Sequence, residues 1–579
     1  MPNMIQNAKD SISQILNAAY QKAAEKGELP AGAALSGTVE IPKDSANGDF
    51  AANHAMAGAK ALHMAPRKIA ETLIANADLA DTWFASVEVA GPGFINFRLA
   101  DRWYAGVLQA VTREGADYGR SDSGHGQKVM VEFVSANPTG PMHMGNARGG
   151  VLGDALASVL DRAGYQVWRE FYVNDAGNQI EKFANSIDAR YQQLLLGEDQ
   201  VAFPEDGYHG DDIKDLAKLF YEANGDKYLT VPVAERHQAM AEFGLQRNIP
   251  KMQEDLRRYG IEYDQWFFES ELHESGYVAE SVQKLTDRGY TYEKDGALWL
   301  KTSQILTEQL LKAGKKQEEI DKLELKDDVL RRANGFYTYF AADIAYHRNK
   351  LEKRGFDKVI NVWGADHHGH VARLKGAMDA LGLDGEHRLD IVLMQLVKLT
   401  RNGEVVRMSK RTGKAISLTD LLDEIPVDAA RYFFNSRPES PVEFDLELAI
   451  RQDSENPVYY VQYAHARICT LLSALAAEGH TVPASADAAL LSTPEEKELI
   501  KQLAALPEEI RLAARDYDPS RINRYVTELA ARFHRFYTVC RIKGAESDVQ
   551  AARLLLADCV RRVIAVSLGI IGVTAPEKM

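Results

Sequence analysis

The chain is predicted to be an α/β protein in three parts: a small α+β domain, a doubly wound parallel sheet with a helical insertion, and an all-α bundle. Residues 125 to about 445 alternate strand and helix patterns, as a parallel sheet covered on both faces requires. From Asn456 the pattern is helical nearly to the end. Before both, residues 1–112 mix helix with strand-like SVEVAGPGFINFRL.

In chain order, MPNMIQNAKDSISQILNAAYQKA reads as an amphipathic helix rather than a signal peptide. The Pro/Gly/Asn-bearing segment IPKDSANGDFAAN breaks it, a second helix follows, and a further helix starts at Asp101. The sheet domain is expected over 113–445, with a helical insertion at about 190–330 that includes the acidic loop FPEDGYHGDD, and the bundle over 446–579.

With 579 residues, 45% of them hydrophobic, the chain can bury three or more cores. No apolar run is long enough to span a bilayer, so a cytoplasmic protein without membrane contact is expected. Cys469, Cys540 and Cys559 lack pair spacing, which argues against a disulfide framework or structural zinc and for small buried hydrophobes. The net charge of -15 opposes nucleic acid at long range, yet local distribution matters more. Arg511, Arg515, Arg521, Arg524, Arg532, Arg535, Arg541 and Lys543 give the C-terminal region a basic lean, interleaved with Tyr525, Phe533, His534, Phe536 and Tyr537. About half of these aromatics fit a core at helical spacing; the others could stack on splayed bases.

The most informative run is Val129 to Ala157, VMVEFVSANPTGPMHMGNARGGVLGDALA, where a strand pattern breaks at a Pro/Gly turn and restarts as a helix. His143-Met144-Gly145-Asn146 stands at the junction, where helix N–H groups lack partners and the dipole is positive, a preferred place for phosphate. Gly145 admits a ligand close to the backbone, and His143 can offer a ring N–H to phosphate oxygens. Neither GxxxxGK[ST] nor a helix-opening GxGxxG is present. A second anchor is Arg407-Met408-Ser409-Lys410-Arg411-Thr412-Gly413-Lys414, a basic loop after the apolar run Ile391 to Leu399 and the turn Arg401-Asn402-Gly403. Its setting between a strand-like run and helical DLLDE favours a loop closing over polyphosphate above an ordinary solvated charge run.

Together, VEFVSANPTGPMHMGN and RMSK resemble the HIGH and KMSKS signatures of class I aminoacyl-tRNA synthetases, in their usual order and separation. GNARGGVLGDALASVLDRAGYQVWREFYVNDAGNQI, YFAADIAYHRNKL, NVWGADHHGHVARLKGAM and SLGIIGVTAPEKM extend the resemblance over essentially the whole chain, to the arginyl-tRNA synthetase family. Asn146 stands where the second His is usual and Arg407 where the first Lys is usual; Asn still donates and Arg keeps its charge.

This resemblance implies a class I Rossmann-type catalytic domain, an N-terminal domain touching the tRNA corner, with Gly48-Asp49-Phe50 structural, and a C-terminal anticodon-binding domain. It implies the substrates ATP, L-arginine and tRNA(Arg), with Mg²⁺ sharing the phosphate charge, and tRNA bound before activation proceeds. A monomer is expected. His143, Asn146 and Lys410 are the expected catalytic residues. Pro138, His143, Gly145, Asn146, Gly364, Asp366, His370, Arg407, Met408, Ser409 and Lys410 are the expected ATP-binding ones. Recognition of a guanidinium demands carboxylates that accept its forked donors. Asp343 is the leading candidate, four residues after Tyr339 and so on the same helical face. The resemblance makes both guanidinium contacts and adds Glu132 and Asn137 as substrate partners.

Trp363-Gly364-Ala365-Asp366-His367-His368-Gly369-His370 invites a zinc reading, but adjacent His rarely converge on one ion and H-E-x-x-H is absent, so ATP and substrate binding is preferred and no metal ligand is assigned. In the expected reaction the arginine carboxylate attacks the α-phosphate of ATP, pyrophosphate leaves, and the terminal ribose hydroxyl of tRNA takes the arginyl group. Positioning and electrostatics dominate such chemistry, and no general base is evident. The alternatives are a class I synthetase for another amino acid, a nucleotidyltransferase of the same superfamily, which would lack the two flanking domains, and a non-catalytic tRNA-binding paralogue, which would lack the motifs.

Overall fold

The computed structural model of the chain describes residues 3–33, 35–395, 397–406, 416–436 and 442–579. Its centre is a five-stranded parallel sheet: β1 (Lys128–Glu132), β2 (Gln166–Val173), β3 (Gln265–Phe268), β4 (Lys358–Gly364) and β5 (Leu389–Met394), in the spatial order β3-β2-β1-β4-β5. The chain starts in the middle, winds outward to β3 and then returns to the other side of β1. The order therefore reverses between β1 and β4, where the two strands pair from Lys358↔Val129 to Asn361↔Glu132. Outside their carboxyl ends lies the crevice in which doubly wound sheets bind ligands.

Helix α1 (Met144–Arg162) follows β1 and packs tightly against it. A Cβ added to Gly153 would lie 2.1 Å from the Phe133 ring, so this glycine lets the helix backbone press onto the strand. That approach fixes where the amino end of α1 points.

A single insertion at about 190–330 needs correction, because the chain returns to the sheet within that span. Four residues, Gln265–Phe268, form β3 beside β2. So short a strand between long polar helices leaves almost no period-2 signal. Helices Asn178–Leu196, Asp211–Asn224 and Val233–Arg258 precede it, and the residues after it include a three-stranded antiparallel sheet (Thr291–Lys294, Ala297–Leu300, Asp328–Arg331). The apolar run Ile391 to Leu399 is likewise two strands: β5 ends at Met394, and Val397–Arg401 belongs to a separate sheet with Val442–Asp445.

The amino-terminal residues form a four-stranded antiparallel sheet with helices Met4–Glu25, His54–Leu62 and Pro66–Asn76. Gly48, at φ 90°, takes a left-handed conformation and hands Asp49 to the backbone N–H of Leu99 at 2.7 Å, a structural role as expected. Asp49 also pairs with Lys501, which fastens this unit to the C-terminal helices, and just beyond the unit Tyr118 donates to the Leu503 carbonyl at 2.9 Å. Those are Pro457–Ala477, Pro494–Asp516, Ser520–Val539 and Ser547–Ile570. Cys540 and Cys559 are buried and Cys469 is half-buried, all as free thiols. No helix among the described residues is long and apolar enough to cross a membrane.

One buried side chain ties the parts together. Arg431, fully buried, donates to the carbonyls of Tyr259, Gly260 and Ile571 at 3.1 Å each, and pairs with Asp154 on α1. It therefore joins the central helix, the chain entering β3 and the C-terminal tail. Arg431→Met removes these donors and leaves Asp154 with Arg169 as its remaining ion-pair partner named here. The expected loss is about 3 kcal/mol of stability. Urea unfolding would show it, together with faster hydrogen exchange at the Val573 amide, which closes the C-terminal turn on Leu568.

Candidate active site

The site assembles from the carboxyl ends of four strands. After β1 the backbone turns through Val134 at φ 69° and Ser135 at φ 43°, a strained path for a β-branched residue. The turn brings Ser135 Oγ back to Glu132 Oε1 at 2.8 Å. Asn137 is exposed, whereas Pro138 is buried and its carbonyl accepts from Asn248 at 2.8 Å.

His143 is the N-cap of α1. Its Nδ1 accepts from the Gly145 N–H at 3.2 Å, and the Asn146 side chain accepts from the His143 N–H at 3.0 Å. An accepting Nδ1 puts the proton of a neutral imidazole on Nε2, and burial pulls the ring below its ordinary pKa. The ring is thus oriented as an outward donor at the positive end of a helix. Met142 accepts from the Leu418 N–H at 2.8 Å, and His143 bridges Ser417. The chain leaving the basic loop is therefore stitched directly to the first signature. Arg407, Met408, Ser409 and Lys410 themselves lie outside the described residues, as does the side chain of Asp366.

Helix α2 (Tyr339–Arg348) opens with Thr338 as its cap and carries Tyr339 and Asp343 on one face. Tyr339 is exposed, while about a quarter of the Asp343 side chain reaches solvent. Helix α3 (His368–Ala380) follows β4 through a short turn after Gly364 and delivers His370 to Asp343, with Nε2 2.6 Å from Oδ2. His347, one turn along α2, places Nδ1 3.2 Å from Oδ1. Burial opposes ionisation of Asp343, but His347 first and His370 second overcome it and hold the carboxyl well below the usual carboxylate range. His370, expected at ATP, thus stands beside the guanidinium candidate.

Glu132 is buried, and both its oxygens are occupied, one by Ser135 and one by the fully buried Lys350. Its first neighbours are internal ones. A carboxylate that the sequence reading missed is Glu269, 3% exposed, at the end of β3. Its charge acts on both Tyr172 and Tyr339, and Asn174, with its amide nitrogen facing acceptors, donates to Glu269 Oε2 at 3.2 Å. Two carboxylates, Asp343 and Glu269, therefore act on the same ring, that of Tyr172, and Glu269 acts on Tyr339 as well. Glu269 escaped notice because it directly follows the short strand β3. His347 was more legible, four residues after Asp343 on a helix already singled out.

No group of three or more candidate metal ligands converges among the described residues, which leave out the Asp366 side chain. In the C-terminal helices the basic lean is largely neutralised: Arg511 pairs with Glu508, Arg515 with Asp516, Arg521 with Glu509, Arg524 with Asp518 and Arg532 with Glu498. Tyr525, Phe533 and Phe536 are core. Outside them, Tyr459 and Tyr463 stack at 6.1 Å, Tyr463 and His534 at 6.2 Å, and Arg467 lies 4.2 Å from the Tyr537 ring.

Comparison with known proteins agrees with this architecture. Residues 6–99 match the family described as arginyl tRNA synthetase N terminal domain, 107–443 the class I (R) tRNA synthetase catalytic domain, and 461–579 the DALR anticodon binding domain. The chain is 52% identical to the arginine–tRNA ligase of Acetivibrio thermocellus over 582 residues, covering all of both chains. It is 54% identical over 582 residues to that of Caldanaerobacter subterraneus subsp. tengcongensis, again over all of both. The Thermus thermophilus arginyl-tRNA synthetase structure shares the fold, with a TM-score of 0.72 at 21% identity, over 99% of this chain and 100% of that one. With its sheet, both flanking domains and full-length relatives in agreement, the chain belongs to the class I arginyl-tRNA synthetase family.

Proposed function

We propose that the chain activates L-arginine with ATP at the crevice between β1 and β4 and passes the arginyl group to tRNA(Arg), using the residues described above. The observation that carries this reading is Asp343, a carboxylate held ionised beside His347 and His370 and acting on the Tyr172 ring together with Glu269. Two such carboxylates suit a flat cation with forked donors. The arginine carboxylate is a sufficient nucleophile once aligned, so the protein has mainly to position it and to stabilise charge.

His143 Nε2, Gly145 and Asn146 at the amino end of α1 hold the phosphates, with Pro138, Gly364 and Asp366 around the nucleotide. Lys410, helped by Arg407 and Ser409 with Met408 between them, balances the departing pyrophosphate. Its loop re-enters the described chain at Ile416, next to the His143 turn. Mg²⁺, when bound, spreads phosphate charge and is held largely by phosphate oxygens and water. Asn137 contacts the arginine backbone from the loop after β1, and Glu132 acts from behind it. The domain division is 1–112, 113–445 and 446–579, the protein works as a monomer, and its place is the cytoplasm. Tyr463, exposed on the bundle surface, is offered for stacking on tRNA bases.

Asp343→Asn keeps size and removes charge. Its kcat/KM for arginine is expected to fall at least tenfold, because one charge-assisted bond is worth about 1.5–3 kcal/mol. Competition by citrulline, whose urea is neutral, should weaken less. Equal losses, or none, would make Glu269 the specificity carboxylate. Lys410→Ala should slow adenylate formation about 100-fold or more in single turnover while arginine affinity holds, since it acts on charge that develops during the step. Tyr463→Ala should raise KM for tRNA about tenfold without altering KM for arginine, in line with stacking worth about 1–3 kcal/mol per base.

A further inference from the structure

Beside Asp343 runs a chain of buried polar side chains that the proposed chemistry leaves unused. Lys350 and Asn361 are fully buried and His347 is 1% exposed. Lys350 Nζ lies between the Glu132 carboxylate and Asn361 Oδ1, 3.3 Å from the latter, above the Tyr346 ring at 3.9 Å. An ammonium only donates, so Asn361 presents its oxygen to Lys350 and its nitrogen to the other side. That nitrogen is 2.6 Å from His347 Nε2. Faced by a donor, Nε2 accepts, and the ring carries its proton on Nδ1. Nδ1 is 2.8 Å from the Asp343 carbonyl and 3.2 Å from its carboxylate.

The second imidazole is arranged in the same way. Arg373 is fastened to Asp328 through Nη1 at 2.6 Å and points Nη2 at His370 Nδ1, 3.1 Å away. A guanidinium has no acceptor, so Nδ1 accepts and Nε2 keeps the proton that goes to Asp343 Oδ2.

We propose that Asn361, held by Lys350, and Arg373, held by Asp328, are positioning residues that lock His347 and His370 as neutral, single-donor tautomers. Asp343 is then hydrogen-bonded from two sides while its negative charge stays uncompensated until a cationic side chain arrives. An imidazolium on either side would neutralise the carboxylate beforehand and set a cation against the incoming guanidinium. The locks add no net charge of their own, because Lys350 faces Glu132 and Arg373 faces Asp328. This inference rests on the reading of Asp343 as the guanidinium carboxylate.

Arg373 is the accessible lock, with 37% of its side chain exposed, so Arg373→Leu can be made without opening the core. His370 is faced by Asp343 from α2, by Arg373 on its own helix, and by the rings of Phe340 at 5.2 Å and Trp363 at 5.7 Å. His347 lies across Asp343, and His367 sits 5.8 Å from Trp363 on its other side. Without Arg373, Nδ1 loses the donor that faces it and is open to a proton. As pH falls, the imidazolium fraction rises, Asp343 is neutralised and arginine binds less well.

For Arg373→Leu, KM for arginine should therefore be within about threefold of the unsubstituted enzyme near pH 8.5 and rise about tenfold by roughly pH 6, while KM for ATP and the inhibition constant of citrulline follow the unsubstituted profile. Arg373→Lys, which keeps a donor facing Nδ1, should restore the flat arginine profile. A pH-independent KM in Arg373→Leu, or an equal change for citrulline, overturns the lock. Asp343→Asn separates the two levels. If it leaves KM for arginine unchanged, the assignment of Asp343 falls and the lock with it; if it raises KM while Arg373→Leu stays flat, the lock alone falls.

Discussion

Keeping a carboxylate ionised where water is scarce is the constraint around which this site is built. Asp343 stands at the carboxyl edge of the central sheet, and burial by itself would push it toward the neutral acid. A permanent cation beside it would solve that problem and spoil the site, since the charge would then be spent before the substrate arrives. Under the proposed lock, hydrogen bonds from two neutral imidazoles, rather than their charge, oppose that push. His370 supplies an N–H to the anion and His347 shares one between the Asp343 carbonyl and carboxylate, and each ring is turned by a donor on its far side. The buried Lys350 and Glu132, costly as separate ions, are intelligible as a matched pair that orients Asn361.

The same economy of charge runs through the rest of the molecule. A net charge of -15 is no obstacle to tRNA if contacts are local, and most of the basic side chains of the C-terminal helices are answered by acids one turn or one helix away. What remains at that surface is a stack of aromatics. Arg431 links these helices to the catalytic crevice: it holds the Ile571 carbonyl at one end and Asp154 on α1 at the other. The amino end of α1, where His143 and Asn146 cap one another, is thereby braced from the C-terminal tail.

Local chemistry was legible in the sequence, and its partners across the fold were not. The strand–turn–helix at Val129 to Ala157 announced the phosphate-favouring helix end, because that depends on neighbours in the chain. The spacing of Tyr339 and Asp343 placed them on one helical face for the same reason. Glu269 was invisible, since β3 is four residues long and its relation to α2 exists only in three dimensions. His370 was assigned to the nucleotide from its place after β4, whereas its ring meets Asp343 on another helix. The C-terminal helices were rightly read as the anticodon-binding part, but sequence counts their basic charges without showing that most of them have acidic partners.

The central claim is that Asp343 is already ionised, with neutral histidines beside it, before arginine binds. Calorimetric titration of the protein with arginine near neutral pH, repeated in buffers of different ionisation enthalpy, counts the protons exchanged on binding. An exchange close to zero is expected, because neither the carboxylate nor either imidazole has a proton to give up. Release approaching one proton per arginine would mean that the site waits either as a neutral acid or as an ion pair with imidazolium, and would contradict it.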